Sequence, residues 1–133
     1  MKILLATLAV CSLFLSGCAG MGTNSCVGTT SFSVSPTTAT VDHLAASPAD
    51  QQQFIANTTT TYPKGCAIPA FVVSPYQTIW TSSDPVNAPI DSTFGQATDG
   101  VATCKGATTV PVTLTAFSGG TSGLSTTATL VCK

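Results

Sequence analysis

Six cysteines are the residues of this chain best equipped for chemistry. Four of them, Cys26, Cys66, Cys104 and Cys132, are spread through the body of the sequence. A thiolate can bind a metal, attack a substrate or join a disulfide. Zinc and dithiol redox sites favour Cys-x-x-Cys spacing or partnering histidines. No such spacing occurs, and His43 is the only histidine. The remaining chemistry is oxidation to two disulfides, which belongs to exported chains and which three connectivities would satisfy. Asp42-His43 has the residue types for acid–base work, but a triad needs a serine held against the ring. No nucleophile-elbow pattern supplies one, and a solvated turn is the plainer role. Asp84, Asn87, Asp91 and Asp99 carry oxygens that suit Ca²⁺. Their spacing lacks the Asp-x-Asp rhythm of a calcium loop, and Asp84 is expected to cap the turn at Pro85. Asp91-Ser92-Thr93 and Thr58 to Thr61 offer hydroxyls for O-glycosylation in a suitable host. No catalytic residue, cofactor or metal is expected.

The elements that carry these residues begin with a leader. Met1 and Lys2 form a short positive start, and Ile3 to Leu15 is an apolar run broken only by Thr7, Cys11 and Ser12. A bilayer-spanning helix needs about 20 residues, so the run fits the apolar region of a secretory signal peptide, expected as a short helix ahead of the domain. It ends in Leu15-Ser16-Gly17-Cys18. This resembles the lipobox of bacterial lipoprotein precursors. The resemblance implies that the Cys18 thiol accepts a diacylglyceryl thioether, that a peptidase cuts before it between small neighbours, and that the new amine is acylated. Several acyl chains on one residue, palmitate among them, hold a protein at a membrane. In the same family an Asp after the lipidated Cys retains the protein in the inner membrane of Gram-negative cells. Here the next residue is Ala19, which implies the outer membrane if the host has two. Residues 1–17 are therefore read as signal peptide and 18–28 as a short tether. The ten residues from Ala19 to Gly28 reach at most roughly 35 Å.

Beyond the tether the composition is that of one small domain. The 133-residue chain has a net charge of −1, with four lysines, no arginine and 7% charged residues. A nucleic-acid partner would call for a basic face, so none is expected. With 44% hydrophobic residues and so little charge, charge-driven disorder is excluded as well. After Cys18 the cations are Lys64, Lys105 and Lys133, against five aspartates and no glutamate. Thr, Ser, Asn and Gln must keep such a surface soluble.

Alternation with period two then marks strands. Phe32, Val34 and Pro36 alternate with serines. Phe54 and Ala56 alternate with Gln53, Ile55 and Asn57. Val110, Val112, Leu114 and Ala116 form one face of a run, and Thr126, Ala128, Leu130 and Cys132 one face of another. The last two runs flank Ser118 to Gly123, a hairpin loop. Val41 to Ile55 is the one stretch with any helical character, and Pro48 interrupts it. Short strands separated by Gly and Pro turns predict an all-β sandwich of about seven strands over residues 29–133.

Four segments in order, Phe32-Ser33-Val34-Ser35-Pro36, Gln53-Phe54-Ile55-Ala56, Ile79-Trp80-Thr81-Ser82-Ser83-Asp84-Pro85 and Val112-Thr113-Leu114-Thr115-Ala116, resemble a bacterial immunoglobulin-like domain of the group-2 type. The hallmark of that family is Trp, small hydroxyl residues and then Asp, here Trp80 to Asp84. Gly95 and Val101 stand near the family's Gly and following short strand. The segment Thr58 to Gln77 is longer than the family's equivalent, and cysteines are not a general family feature. The resemblance implies an immunoglobulin-like sandwich. In a sandwich of this topology the first strand starts where the second finishes, which brings Cys26 to Cys66. The last strand finishes where its hairpin partner begins, which brings Cys104 to Cys132. Trp80, the only tryptophan, is expected to fill the space between the sheets.

The long segment 58–77 holds Tyr62, Phe71 and Tyr76 among three prolines. One reading makes Ala70 to Val73 an extra strand with the aromatics completing the core. The other makes them a patch that docks a protein or a glycan, since loops at the end of a sandwich often carry binding residues. The expected protein is a non-catalytic, membrane-tethered immunoglobulin-like module of the bacterial envelope, with a structural or interaction role. The runner-up is a carbohydrate- or protein-binding adhesion module that uses residues 58–77.

Overall fold

The computed structural model describes residues 26–66, 77–119 and 123–133, and among these all regular structure is β. The expected signal-peptide helix, the lipidation residue Cys18, and Phe71 and Tyr76 lie outside the described residues. The strands are β1 (Thr29–Ser35), β2 (Thr38–Val41), β3 (Gln51–Gln53), β4 (Ile55–Thr61), β5 (Thr78–Ser82), β6 (Val101–Thr103), β7 (Val112–Ser118) and β8 (Ser125–Cys132). That is eight described strands where about seven were expected.

One sheet runs β2-β8-β7-β5. Its β7–β8 and β5–β7 pairs are antiparallel, and β2 joins β8 in parallel. The second layer is assembled from two ladders, β1–β4 and β3–β6, both antiparallel. Only Phe54 separates β3 from β4, and its N–H donates to the Gly100 carbonyl at 2.8 Å, so the two ladders run on from one another. Residues 89–91 extend this layer past β6. Asp91 N–H donates to Val101 O at 2.9 Å, Thr103 N–H donates to Pro89 O at 3.0 Å, and Ile90 bridges Ala102. The first two strands go to different layers. Pro36 has no N–H with which to continue the β1–β4 ladder, and the chain leaves there to join β8 as β2.

Residues from both layers share one core. Val34, Phe54 and Ala102 meet Trp80, Val112, Leu114, Ala116, Ala128 and Leu130 in a single buried cluster. The arrangement is β-sandwich-like. Alternation does the sorting: in β7 Val112, Leu114 and Ala116 point in, and in β8 Ala128, Leu130 and Cys132 point in. Trp80 on β5 is only 5% exposed. A tryptophan buries 150–250 Å² of surface, so at about 25 cal/mol per Å² it contributes roughly 4–6 kcal/mol.

Val110 departs from its expected face. It lies outside β7 and is 68% exposed. The β7–β8 register sets Val112 opposite Leu130, which would place Val110 opposite Cys132. Thr108 takes that place instead, its N–H donating to Cys132 O at 2.8 Å and its Oγ1 accepting from Cys132 N–H at 3.3 Å. Pro111 offers no N–H, so residues 109–111 arch outward and carry Val110 into solvent.

The outer face of the four-stranded sheet is rich in threonine hydroxyls. Thr81, Thr115 and Thr127 lie side by side across three strands, as do Thr113, Thr129 and Thr38. Ile79, Phe117, Ser125, Thr40 and Val131 are the other outward strand residues, and none of these described strand residues is ionisable.

Both disulfides form, Cys26 with Cys66 and Cys104 with Cys132, at Cα–Cα distances of 5.6 and 5.5 Å. The first closes the end of the β1–β4 ladder just beyond the Thr29–Thr61 pair. The second ties the end of β6 to the end of β8, so it links the two layers, and both of its cysteines are buried.

Candidate functional site

Of the residues nominated from the sequence, Asp84 meets Asn87 and Asp91 lies near Asp99, while Asp42 and His43 stand apart from both pairs, and most of their polar atoms are committed to turns. Asp42 Oδ1 accepts from Leu44 N–H at 2.9 Å. His43 turns its Nδ1 to the Lys133 carbonyl at 2.8 Å, and its backbone N–H donates to the same oxygen at 3.0 Å. The carboxylate and the imidazole therefore hold different loops.

Asp84 caps its turn as expected. Its two carboxylate oxygens accept from Asn87 N–H at 3.1 Å and Asn87 Nδ2 at 2.8 Å. These bonds favour the ionised form and hold the Asp84 carboxyl below the usual value of 3.8. The neighbouring motif residues are also structural. Ser83 N–H donates to Thr113 O at 2.9 Å and Ser83 Oγ accepts from Thr113 N–H at 3.0 Å, which clamps the end of β5 to β7.

Asp91 works in the same way. Its Oδ1 accepts from Thr93 N–H at 2.9 Å and from the Thr93 hydroxyl at 2.6 Å. Hydrogen bonds from the Thr93 and Thr98 side chains hold its carboxyl below the usual range. Asp99 is the opposite case. Burial and the nearby charge of Asp91 push its carboxyl up, and its Oδ1 has no hydrogen-bond partner among the described residues. Three of the hydroxyls considered for glycosylation are engaged too: Ser92 Oγ accepts from Trp80 N–H at 2.8 Å, the Thr93 hydroxyl donates to Asp91, and Thr60 and Thr30 share a bond of 3.1 Å.

Of the aromatic patch, Tyr62 alone is described. It is half-buried, and its ring lies over Gly28, where an added Cβ would come within 2.8 Å of Cε1. It therefore packs on the start of β1.

The structure opens a different concavity. An open groove of about 430 Å³ lies beside the junction of β3 and β4, with Trp80 and Phe54 in its lining. Gln53 and Ile55 come from one side, and Phe94, Gln96 and Asp99 from the loop opposite. Phe94 is 43% exposed. The loop that carries it is well held. Asp91 binds Thr93, Ser92 caps the Trp80 N–H, Gln96 N–H donates to Thr93 O at 3.1 Å, and Gln53 Nε2 donates to Asp99 O at 3.2 Å. Gly95 takes φ +79°, a left-handed conformation that reverses the chain after Phe94. Phe94 carries no periodic or motif signal, and only its place before Gly95 in a Ser/Thr turn hints at it. Its juxtaposition with Trp80 is a tertiary fact.

The wider comparisons come back empty: no protein-family model, no curated protein and no solved structure matches the chain.

Proposed function

We propose that this chain is a non-catalytic, lipid-anchored immunoglobulin-like module of the bacterial cell envelope, with a structural or interaction role. The strand order supports the immunoglobulin-like part. Such domains place the third, sixth and seventh strands in one sheet and the first, second, fifth and fourth in the other, with a buried Trp on the third. Taking β3–β4 as one interrupted strand and residues 89–91 as the fourth, β5-β7-β8 match the first set. β1, β3–β4, β6 and 89–91 match the second. Trp80 sits on β5.

The observation that carries the non-catalytic reading is where the reactive atoms go. Asp42, His43, Asp84, Asp91 and Ser92 each direct side-chain atoms to backbone groups that hold turns. They build a scaffold. The uncharged threonine face of the four-stranded sheet suits a spacer in the envelope. The anchor rests on Leu15-Ser16-Gly17-Cys18 and on the oxidising compartment that two disulfides require.

The test is metabolic labelling of the full chain with palmitate in a bacterium with two membranes, followed by membrane fractionation. Label in the outer-membrane fraction, lost in Cys18→Ser, is the expected result. Failure of the chain to label, or equal labelling of Cys18→Ser, overturns the anchor.

A further inference from the structure

We propose that the groove between Phe94 and the β3–β4 junction is a binding site for an uncharged saccharide. Three observations lead there. The first is shape: the groove is open and about 430 Å³, within the range of small-ligand sites and accessible to part of a longer chain. The second is chemistry. Its lining combines the exposed ring of Phe94, backed by the mostly buried Trp80, with the Gln96 amide, the Gln53 amide whose Nε2 already holds the Asp99 carbonyl, and the Asp99 carboxylate, and no lysine takes part. A sugar ring has an apolar C–H face, which packs on an aromatic ring, and a rim of hydroxyls, which bond to amides and carboxylates. The negative Asp99, with Asp91 close to it, disfavours an anionic ligand.

The third observation is rigidity. An exposed phenylalanine on a loose loop would need no explanation. Phe94 instead sits on a loop held by Asp91, by Ser92 on the Trp80 backbone and by Gln53 on Asp99. A loop backbone held in this way loses little conformational freedom when a ligand arrives, which is the main economy open to a shallow site.

The proposal rests on the non-catalytic reading of the domain but not on its anchor. The assay therefore uses no membrane, and either idea can fail alone. Trp80 is the only tryptophan in the chain and lines the groove, so its emission reports occupancy. The oxidised full chain, in mild detergent, is titrated with chitotetraose and with maltotetraose as uncharged probes. A heparin-derived tetrasaccharide serves as the anionic probe, and a proline-rich peptide as a probe of another class. At least one uncharged probe should give a saturable change with a dissociation constant of about 0.1–1 mM. Phe94→Ala should weaken it by about tenfold or more, and Gln96→Ala by a few-fold. Phe117→Ala, an exposed aromatic on the outer face of the other sheet, should leave it unchanged. The proposal is overturned if neither uncharged probe saturates, if the heparin fragment or the peptide binds as tightly, or if Phe94→Ala binds as the parent does.

Discussion

Removing the two disulfides one at a time separates chain entropy from packing. The bridges close loops of 40 residues (Cys26–Cys66) and 28 residues (Cys104–Cys132). Loop-closure entropy alone assigns them about 3.9 and about 3.6 kcal/mol, so it ranks the first slightly ahead. Burial reverses that order. Cys26 is exposed and Cys66 half-buried, whereas Cys104 and Cys132 are 2% and 1% exposed within the core. Truncating each buried cysteine to alanine removes a sulfur that fills core volume, at about 1 kcal/mol apiece. The Cys104→Ala/Cys132→Ala double variant should therefore lose about 5–6 kcal/mol, against about 4 kcal/mol or less for Cys26→Ala/Cys66→Ala. Since a domain of this size has about 5–15 kcal/mol in all, the core pair brings the chain close to unfolding. Urea unfolding followed by Trp80 emission measures both losses. Thiol trapping with mild reductant gives an independent reading, with Cys26 and Cys66 alkylated first. A loss for the Cys26/Cys66 variant equal to or larger than that for the core pair would refute the packing argument.

Two further perturbations test the site's surroundings. Gly100 and Gly95 share φ +79°, but a Cβ on Gly100 would run into the Phe54 carbonyl and lie 3.3 Å from two indole carbons of Trp80, while one on Gly95 meets nothing. Gly95→Ala should cost about 1–2 kcal/mol from backbone strain and Gly100→Ala about 2–4 kcal/mol with overpacking added; equal losses in thermal unfolding would contradict the close approach. The carboxyl of Asp99 is raised in the fold, so its stabilising contribution is present below the unfolded value of about 3.9 and is lost as pH rises through the higher folded value. Asp99→Asn should therefore raise the melting temperature at pH 7, with the gap closing toward pH ~3; a gap that persists in acid would assign the effect to packing instead.

Local pattern settled which residues face inward. Val112, Leu114 and Ala116, and Ala128, Leu130 and Cys132, are read correctly from period two because alternation is a property of the strand itself. The lone Trp80, the Asp84 turn and the all-β class follow from residue type and neighbours over a few positions. Partner choice is a different matter, because it depends on which distant segments can meet once the loops close. Gln51–Gln53 has no apolar pattern and becomes β3 only because β6 lies beside it, and Thr38–Val41 becomes β2 because Pro36 releases it to β8. Val110 has the right residue type and parity and still faces solvent, since Thr108 occupies its place opposite Cys132. The groove belongs to the same class of facts. Phe94, Trp80 and Gln53 are far apart along the chain and come together only when Ser92 binds the Trp80 backbone and β3 pairs with β6. Composition and spacing pointed to a disulfide-stapled β domain; tertiary closure decided where its surface is concave.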